Sequence, residues 1–231
     1  MARYYDEKII YSLKRAMEIE RFLPTGKLLD VGCGTGVTLE YFKKKGYNVW
    51  GIDNSKAMLE IATRRISSEK LFKKNMTNFK LAEKFDAIIC LFDTVNHLTK
   101  FSDWKRFFVS CSKHLSPRGV LIFDMNTLNK LNALIGKTIN RGNGVKIKIS
   151  RKENIFYWKV TTPSGINIIK EKSFPITKVS KLLKNYFSIK KIPTKSGRVY
   201  FICRPIHSGL KRRTLKVRLT QALNDSSDKG G

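Results

Sequence analysis

Apolar positions recur along this chain first in alternating helical and strand rhythms, and beyond about residue 130 in a two-residue rhythm. Ile9, Leu13, Ala16, Met17 and Phe22 fall near helical spacing and predict an amphipathic helix over 4–22, ended by Pro24 and Gly26. A short apolar strand over 27–31 enters a glycine-rich turn, and a helix over 37–45 closes at Gly46. A second strand over 48–52 stops at Asp53-Asn54-Ser55, where Asp53 or Ser55 caps a helix reaching about residue 66. A weak third strand covers 71–74. The continuous apolar run at 85–92 has the character of a strand buried on both faces. A helix over 101–115, a turn at 116–119 and a buried strand over 120–124 follow. Strands alternating with helices imply right-handed crossovers and a parallel sheet.

After Asn126 the pattern changes. A stretch with Gly136, Gly142 and Gly144 precedes three β-like segments at 145–150, 155–162 and 166–170. In the first, Lys146, Lys148 and Ser150 alternate with Val145, Ile147 and Ile149, as in a strand with one solvated face. Pro163-Ser164-Gly165 is the hairpin turn between the other two. A helix over 176–186 and two strands, 187–192 and 198–203, complete the pattern. This predicts an α/β core over 1–135, an antiparallel β insertion over 136–172, a closing helix and strands over 173–204, and a basic, flexible tail over 205–231. No internal repeat is visible.

Composition narrows the class. With 42% hydrophobic residues and 14 Phe in 231 residues, the chain can bury a core. Cys33, Cys90, Cys111 and Cys203 are too scattered for a disulfide framework or zinc site, and three of them sit in apolar runs, where they read as reduced core thiols. No metal-ligand spacing is present. The charged N-terminal residues and the absence of a long apolar run predict a soluble, cytoplasmic protein. The net charge is +28: residues 1–130 contribute +9 (23 Lys/Arg against 14 Asp/Glu) and residues 131–231 contribute +19 (23 against 4). That excess fits a polyanionic partner or lysines placed wherever a face is solvated, and their scatter favours the second.

The chemistry concentrates in Leu28-Leu29-Asp30-Val31-Gly32-Cys33-Gly34-Thr35-Gly36. Glycines between a strand and a helix allow a sharp turn and close approach of a ligand to the main chain. Dinucleotide-binding proteins share such a turn, but here Gly36 gives G-x-G-x-G, and Val37 stands where G-x-G-x-x-G needs its last glycine. Asp30 precedes the turn, suited to a cationic amino group. Asp53 ends the next strand, placed to accept hydrogen bonds from a ribose.

This segment resembles motif I of the class I S-adenosylmethionine-dependent methyltransferases. The resemblance implies a Rossmann-like α/β fold: a seven-stranded sheet, its last strand antiparallel, with helices on both faces and the insertion after strand 5. It implies S-adenosylmethionine as cofactor, with Asp30 near the methionine moiety and Gly32, Cys33, Gly34 and Gly36 flanking it. Asp53 would bind the ribose and Asn54 lie near the adenine. Asn75-Met76 stands where the family often has Asp before a hydrophobic residue. Residues 90–98, Cys-Leu-Phe-Asp-Thr-Val-Asn-His-Leu, resemble the fourth-strand end of small-molecule members, placing Leu91 by the cofactor and Asp93 and His97 as candidate catalytic groups. Arg118 to Asp124 resembles their fifth-strand segment.

The expected partner is a small-molecule methyl acceptor taking a methyl on O or N, with the insertion as lid or homodimer contact. Tyr4 and Tyr5 could close over the cofactor, and Tyr157 and Trp158 could line a lid or simply pack. The alternative is an RNA methyltransferase binding nucleic acid through the basic C-terminal half. Against it, 90–98 lacks an Asn-Pro-Pro-Tyr-like motif, and Cys90 is not preceded by Pro. A cofactor-binding protein without catalysis is a third reading. A membrane-proximal enzyme, touching an anionic surface through Lys211-Arg212-Arg213, is a variant of the first.

Overall fold

The computed structural model describes residues 9–206, with side chains from Tyr11 onward. Residues 4–8 of the expected first helix, with Tyr4 and Tyr5, and all but the first two residues of the expected tail, Lys211-Arg212-Arg213 included, lie outside the described residues.

Helix α1 (Ile9–Glu20) leads to β1 (Lys27–Val31), α2 (Val37–Lys44), β2 (Asn48–Asp53), α3 (Lys56–Ala62) and β3 (Leu71–Lys73). Then come β4 (Phe85–Cys90), α4 (Phe101–His114), β5 (Leu115–Asn126) and a short α5 (Leu128–Asn132). Strands β6 (Thr138–Asn140), β7 (Lys146–Lys152), β8 (Ile155–Thr162) and β9 (Gly165–Glu171) make a separate antiparallel sheet in that spatial order. Helix α6 (Ile176–Leu183), β10 (Phe187–Pro193) and β11 (Arg198–Pro205) return to the main sheet. Its seven strands run β10-β11-β5-β4-β1-β2-β3. Strands β1 to β5 are mutually parallel, and β11 is antiparallel to both β5 and β10. The expected α/β sheet with an antiparallel last strand is therefore present.

Strand alternation explains the layers. Successive residues of a strand point to opposite faces, and here both faces are apolar. Leu28, Ile89, Ile122 and Ile202 pack on one side with Ala16 and Ile19 of α1, Leu39 and Phe42 of α2 and Leu59 of α3. Leu29, Ile88, Leu121 and Phe201 pack on the other with Trp104, Phe107 and Phe108 of α4 and Val179 and Leu183 of α6. Across β5 and β11, the rings of Phe123 and Phe201 stack with centroids 4.9 Å apart, a pair contributing about 0.5–1.5 kcal/mol beyond its burial. All four cysteines are reduced and buried. No helix among the described residues is long and apolar enough to cross a membrane.

Of the two expected caps of α3, Ser55 is the one in place: its Oγ accepts the Met58 amide at 3.3 Å. Five local features differ from expectation. Helices α3 and α6 stop at Ala62 and Leu183, short of 66 and 186. Residues 116–119 are strand rather than turn, because a bulge absorbs the extra residues between the pairs Phe85–Leu115 and Ala87–Val120. Helix α5, capped by Thr127, was not foreseen. Nor was β6, which makes the insertion four-stranded.

Candidate active site

The loop leaving β1 is built by three glycines in the left-handed region, with φ of 80° at Gly32, 53° at Gly34 and 79° at Gly36. They are not equivalent. A Cβ on Gly32 would lie 2.5 Å from the Thr94 methyl, and one on Gly36 3.1 Å from the Ala62 Cβ. These two serve close packing. A Cβ on Gly34 would meet nothing within 4 Å, so this glycine opens onto free space. The Gly34 amide donates to Asp53 Oδ2 at 2.9 Å, while Asp53 Oδ1 accepts the Ser55 amide at 2.8 Å. The end of β2 thus sets the height of the loop. Cys33 is buried against β2, its Sγ 2.8 Å from where a Gly51 Cβ would stand. Burial, with Asp30 and Asp53 nearby, pushes its thiol pKa up and makes it a packing group.

Asp30 is 4% exposed and has neither ion pair nor hydrogen-bond partner for its carboxyl among the described residues. Burial, reinforced by the negative charge of Asp53, pushes it up to about 8. A buried, unpartnered carboxyl facing a second acid is unfavourable as an anion unless a cation joins it. Asn54 is exposed on the turn after Asp53. Beyond β3, the Lys74 amide donates to the Asp53 carbonyl, which brings Asn75 and Met76 to the same end of the sheet. Asn75 Oδ1 accepts from the Thr77 amide and hydroxyl, both at 2.9 Å, so its carboxamide oxygen is engaged locally. Met76 is half-buried against the core.

The end of β4 is strained. After buried Leu91, Phe92 and Asp93 have φ of 64° and 53°, a conformation costing about 1–3 kcal/mol for each non-glycine residue. Polar contacts hold it. The Asp93 amide donates to Asp124 Oδ1 at 3.3 Å, and its carboxylate accepts from Asn126 Nδ2 at 2.8 Å and ion-pairs with Arg198. Arg198, at the start of β11, also reaches Asp124 at 2.7 Å. Arg15 of α1 approaches Asp124 at 3.7 Å and donates to the Tyr200 hydroxyl at 2.7 Å. Asn126 Nδ2 further donates to Glu171 of β9 at 3.2 Å, and Asn96 exchanges hydrogen bonds with the Asn126 backbone.

Burial pushes the Glu171 carboxyl well above its usual range, and Asp93 adds to the effect. Burial alone would lower Arg198, but Asp93 and Asp124 outweigh it and secure the guanidinium charge. Two buried polar atoms in this cluster, Asn126 Oδ1 and Arg198 Nε, have no partner among the described residues.

His97 ends a single 3-10 turn, Thr94–His97. Its side chain is exposed, with enough protein near the ring to desolvate it in part. That desolvation lowers its pKa, against the pull of Asp93 and Asp53, and favours neutral imidazole. The fold therefore gathers Asp30, Gly34, Asp53, Asp93 and His97 at the carboxyl ends of the parallel strands, the side on which open α/β sheets bind ligands. Arg198, Asn126, Asn96 and Glu171 were not singled out from sequence. The readable hint was Asp124 and Asn126 inside an apolar run; of their partners, Arg198 lies 74 residues along the chain from Asp124 and Arg15 farther still.

Residues 28–119 match the methyltransferase domain family. Over this stretch the chain carries a methyltransferase-domain core. This core is 38% identical over 97 residues to a dTDP-4-amino-2,3,4,6-tetradeoxy-D-glucose N,N-dimethyltransferase of Saccharopolyspora spinosa, covering 42% of this chain and 39% of the relative. It is 36% identical over 120 residues to a putative methyltransferase of Bacillus subtilis, covering 49% of this chain and 48% of the relative. Such matches span about two fifths to half of the curated relatives. An S-adenosylmethionine-dependent methyltransferase from Clostridium acetobutylicum shares the fold with a TM-score of 0.71 at 23% identity, covering 88% of this chain and 92% of its own. An amino pentose methyltransferase from Micromonospora echinaspora, solved with S-adenosylmethionine bound, gives 0.68 at 24%, covering 88% and 95%. Both likenesses extend past the methyltransferase core into its insertion and closing strands.

Proposed function

We propose that this chain uses S-adenosylmethionine to methylate an oxygen or nitrogen of a small-molecule acceptor. The observation that carries the reading is Gly34: its amide is tethered to Asp53, and the space a side chain would fill is open. The donor set suits the cofactor. Unpartnered Asp30 is matched to an ammonium, Asp53 to a ribose diol, and exposed Asn54, with the carboxamide N–H donors of Asn75, to an adenine edge. When bound, S-adenosylmethionine supplies a methyl group already activated by its sulfonium.

The remaining work falls to the chain: exclude water, orient the acceptor and take up its proton. Neutral His97, exposed at the carboxyl ends of the strands, is the group suited to accept that proton. Asp93 is committed to Arg198 and Asn126, which makes it a positioning residue for the strained turn rather than a free base. Glu171 brings the insertion to the acceptor side, supporting its role as a lid. The acceptor class follows from relatives named as N,N-dimethyltransferases of dTDP-amino sugars and as ubiquinone biosynthesis O-methyltransferases. An amino or hydroxyl group on a sugar or phenol is therefore the first choice.

The test is incubation with methyl-labelled S-adenosylmethionine and separate pools of amino sugar nucleotides, phenols and RNA. Label in a low-molecular-weight product supports the proposal. Label in RNA alone, or in no pool while the cofactor binds, contradicts it.

A further inference from the structure

The insertion sheet has two unlike faces. Strand parity turns Ile147, Ile149 and Val160 inward, where they are buried. The same parity places Lys146 and Lys148 of β7, Lys159 of β8 and Lys170 of β9 on the outer face. All four are exposed, and none has an ion pair among the described residues. No acidic residue shares the face. Lys148 stands directly opposite Lys159, a like-charge cross-strand pair that works against the sheet. Beside them on edge strand β9 are two aliphatic side chains, Ile166 at 58% and Ile168 at 53% exposure.

We propose that this outer face docks on an anionic phospholipid surface. Charge excludes the nearer occupants. A second copy would set lysine against lysine, and residues 207–231 of this chain carry six Lys/Arg against two Asp. A polynucleotide would satisfy the lysines and leave both isoleucines in water. It would also find no arginine and no exposed aromatic on this face to read bases, since Tyr157 is half-buried opposite Lys170. A lipid surface satisfies both features. Ile166 and Ile168 enter the headgroup boundary while the lysine stems extend their ammonium groups to the phosphates. Strand β9 joins this sheet to the Asp93–Arg198 cluster through Glu171, its last residue, which accepts from Asn126.

This proposal does not rest on methyl transfer, and its test needs neither cofactor nor acceptor. The full chain is sedimented with vesicles of phosphatidylcholine alone and with phosphatidylglycerol mixed in. Binding is expected to the mixed vesicles only and to weaken with salt. Each of Lys146→Gln, Lys148→Gln, Lys159→Gln and Lys170→Gln is expected to lower partitioning about fivefold. The pair Ile166→Ser with Ile168→Ser should weaken it further, with circular dichroism and melting unchanged. Absence of vesicle binding overturns the proposal. So does binding that the face variants leave intact, which would assign it to another basic segment. Retention of short RNA that these variants abolish, without vesicle binding, overturns it in favour of a polynucleotide.

Discussion

The Gly34 amide rests on the Asp53 carboxylate, 2.9 Å away, so that the end of one strand fixes the loop leaving its neighbour. Asp53→Ala removes this support, the contact to the Ser55 amide and the proposed ribose acceptor together. Hydrogen bonds to a charged group contribute about 1.5–3 kcal/mol each. Calorimetric titration with S-adenosylhomocysteine should show an affinity loss on the order of 10- to 100-fold. A lower melting temperature with unchanged Kd would contradict the assignment.

Asp30 makes both stability and binding depend on pH. Its folded pKa of about 8 lies above the ordinary carboxylate value, so the folded chain binds the proton more tightly than the unfolded one. The stability this confers is complete below the ordinary value near 4 and is lost as pH rises through about 8. Melting temperatures across that window should decline less for Asp30→Asn than for the native chain. A cationic ligand favours the carboxylate, so binding below pH 8 should release a proton, detected as a buffer-dependent binding enthalpy. Equal slopes and no proton release would sink this account.

Arg198 is the cation on which the acidic cluster depends. Arg198→Met leaves Asp93 and Asp124 buried without it, and breaking such a pair costs about 3–5 kcal/mol. Glu171→Gln is expected to be mild, because burial already favours the protonated carboxyl. Denaturant melts of the two variants should differ in this order; comparable losses would mean that Glu171 is ionised.

His97→Ala should leave S-adenosylhomocysteine affinity unchanged and lower kcat, by about 10²–10⁴ if proton transfer limits the rate. In the native enzyme the acid limb of the pH–rate profile should lie below the ordinary histidine range near 6.5, because desolvation lowers the pKa. Persistence of that limb in the variant would assign the base elsewhere.

What the sequence showed and what it hid have physical reasons. The strand over 27–31 and the second insertion strand, Ile155–Thr162, were legible because their periods are local and their turns carry glycine. The expected ends at 66 and 186 differ from Ala62 and Leu183 because the chain leaves each helix through hydrogen-bonded turns that reach Ile66 and Tyr186 and carry the same spacing. Ser116-Pro117-Arg118-Gly119 has turn composition, yet pairing with β4 draws it into a bulged strand. In the site, the glycines and Asp53 declared themselves by spacing. The cluster that joins Asp93 to Asp124, Asn126, Glu171 and Arg198 did not, because only the tertiary fold brings these four distant segments together.

The most direct measurement is calorimetric titration of the native chain and of Gly34→Ala with S-adenosylhomocysteine, each with a melting curve. The added methyl group meets nothing in the folded chain, and the left-handed backbone costs only about 1–2 kcal/mol. Saturable one-site binding by the native chain, lost in a variant that still folds, is the expected result. No saturable binding by the native chain, or equal affinity in the two, would contradict a cofactor seated against the Gly34 loop.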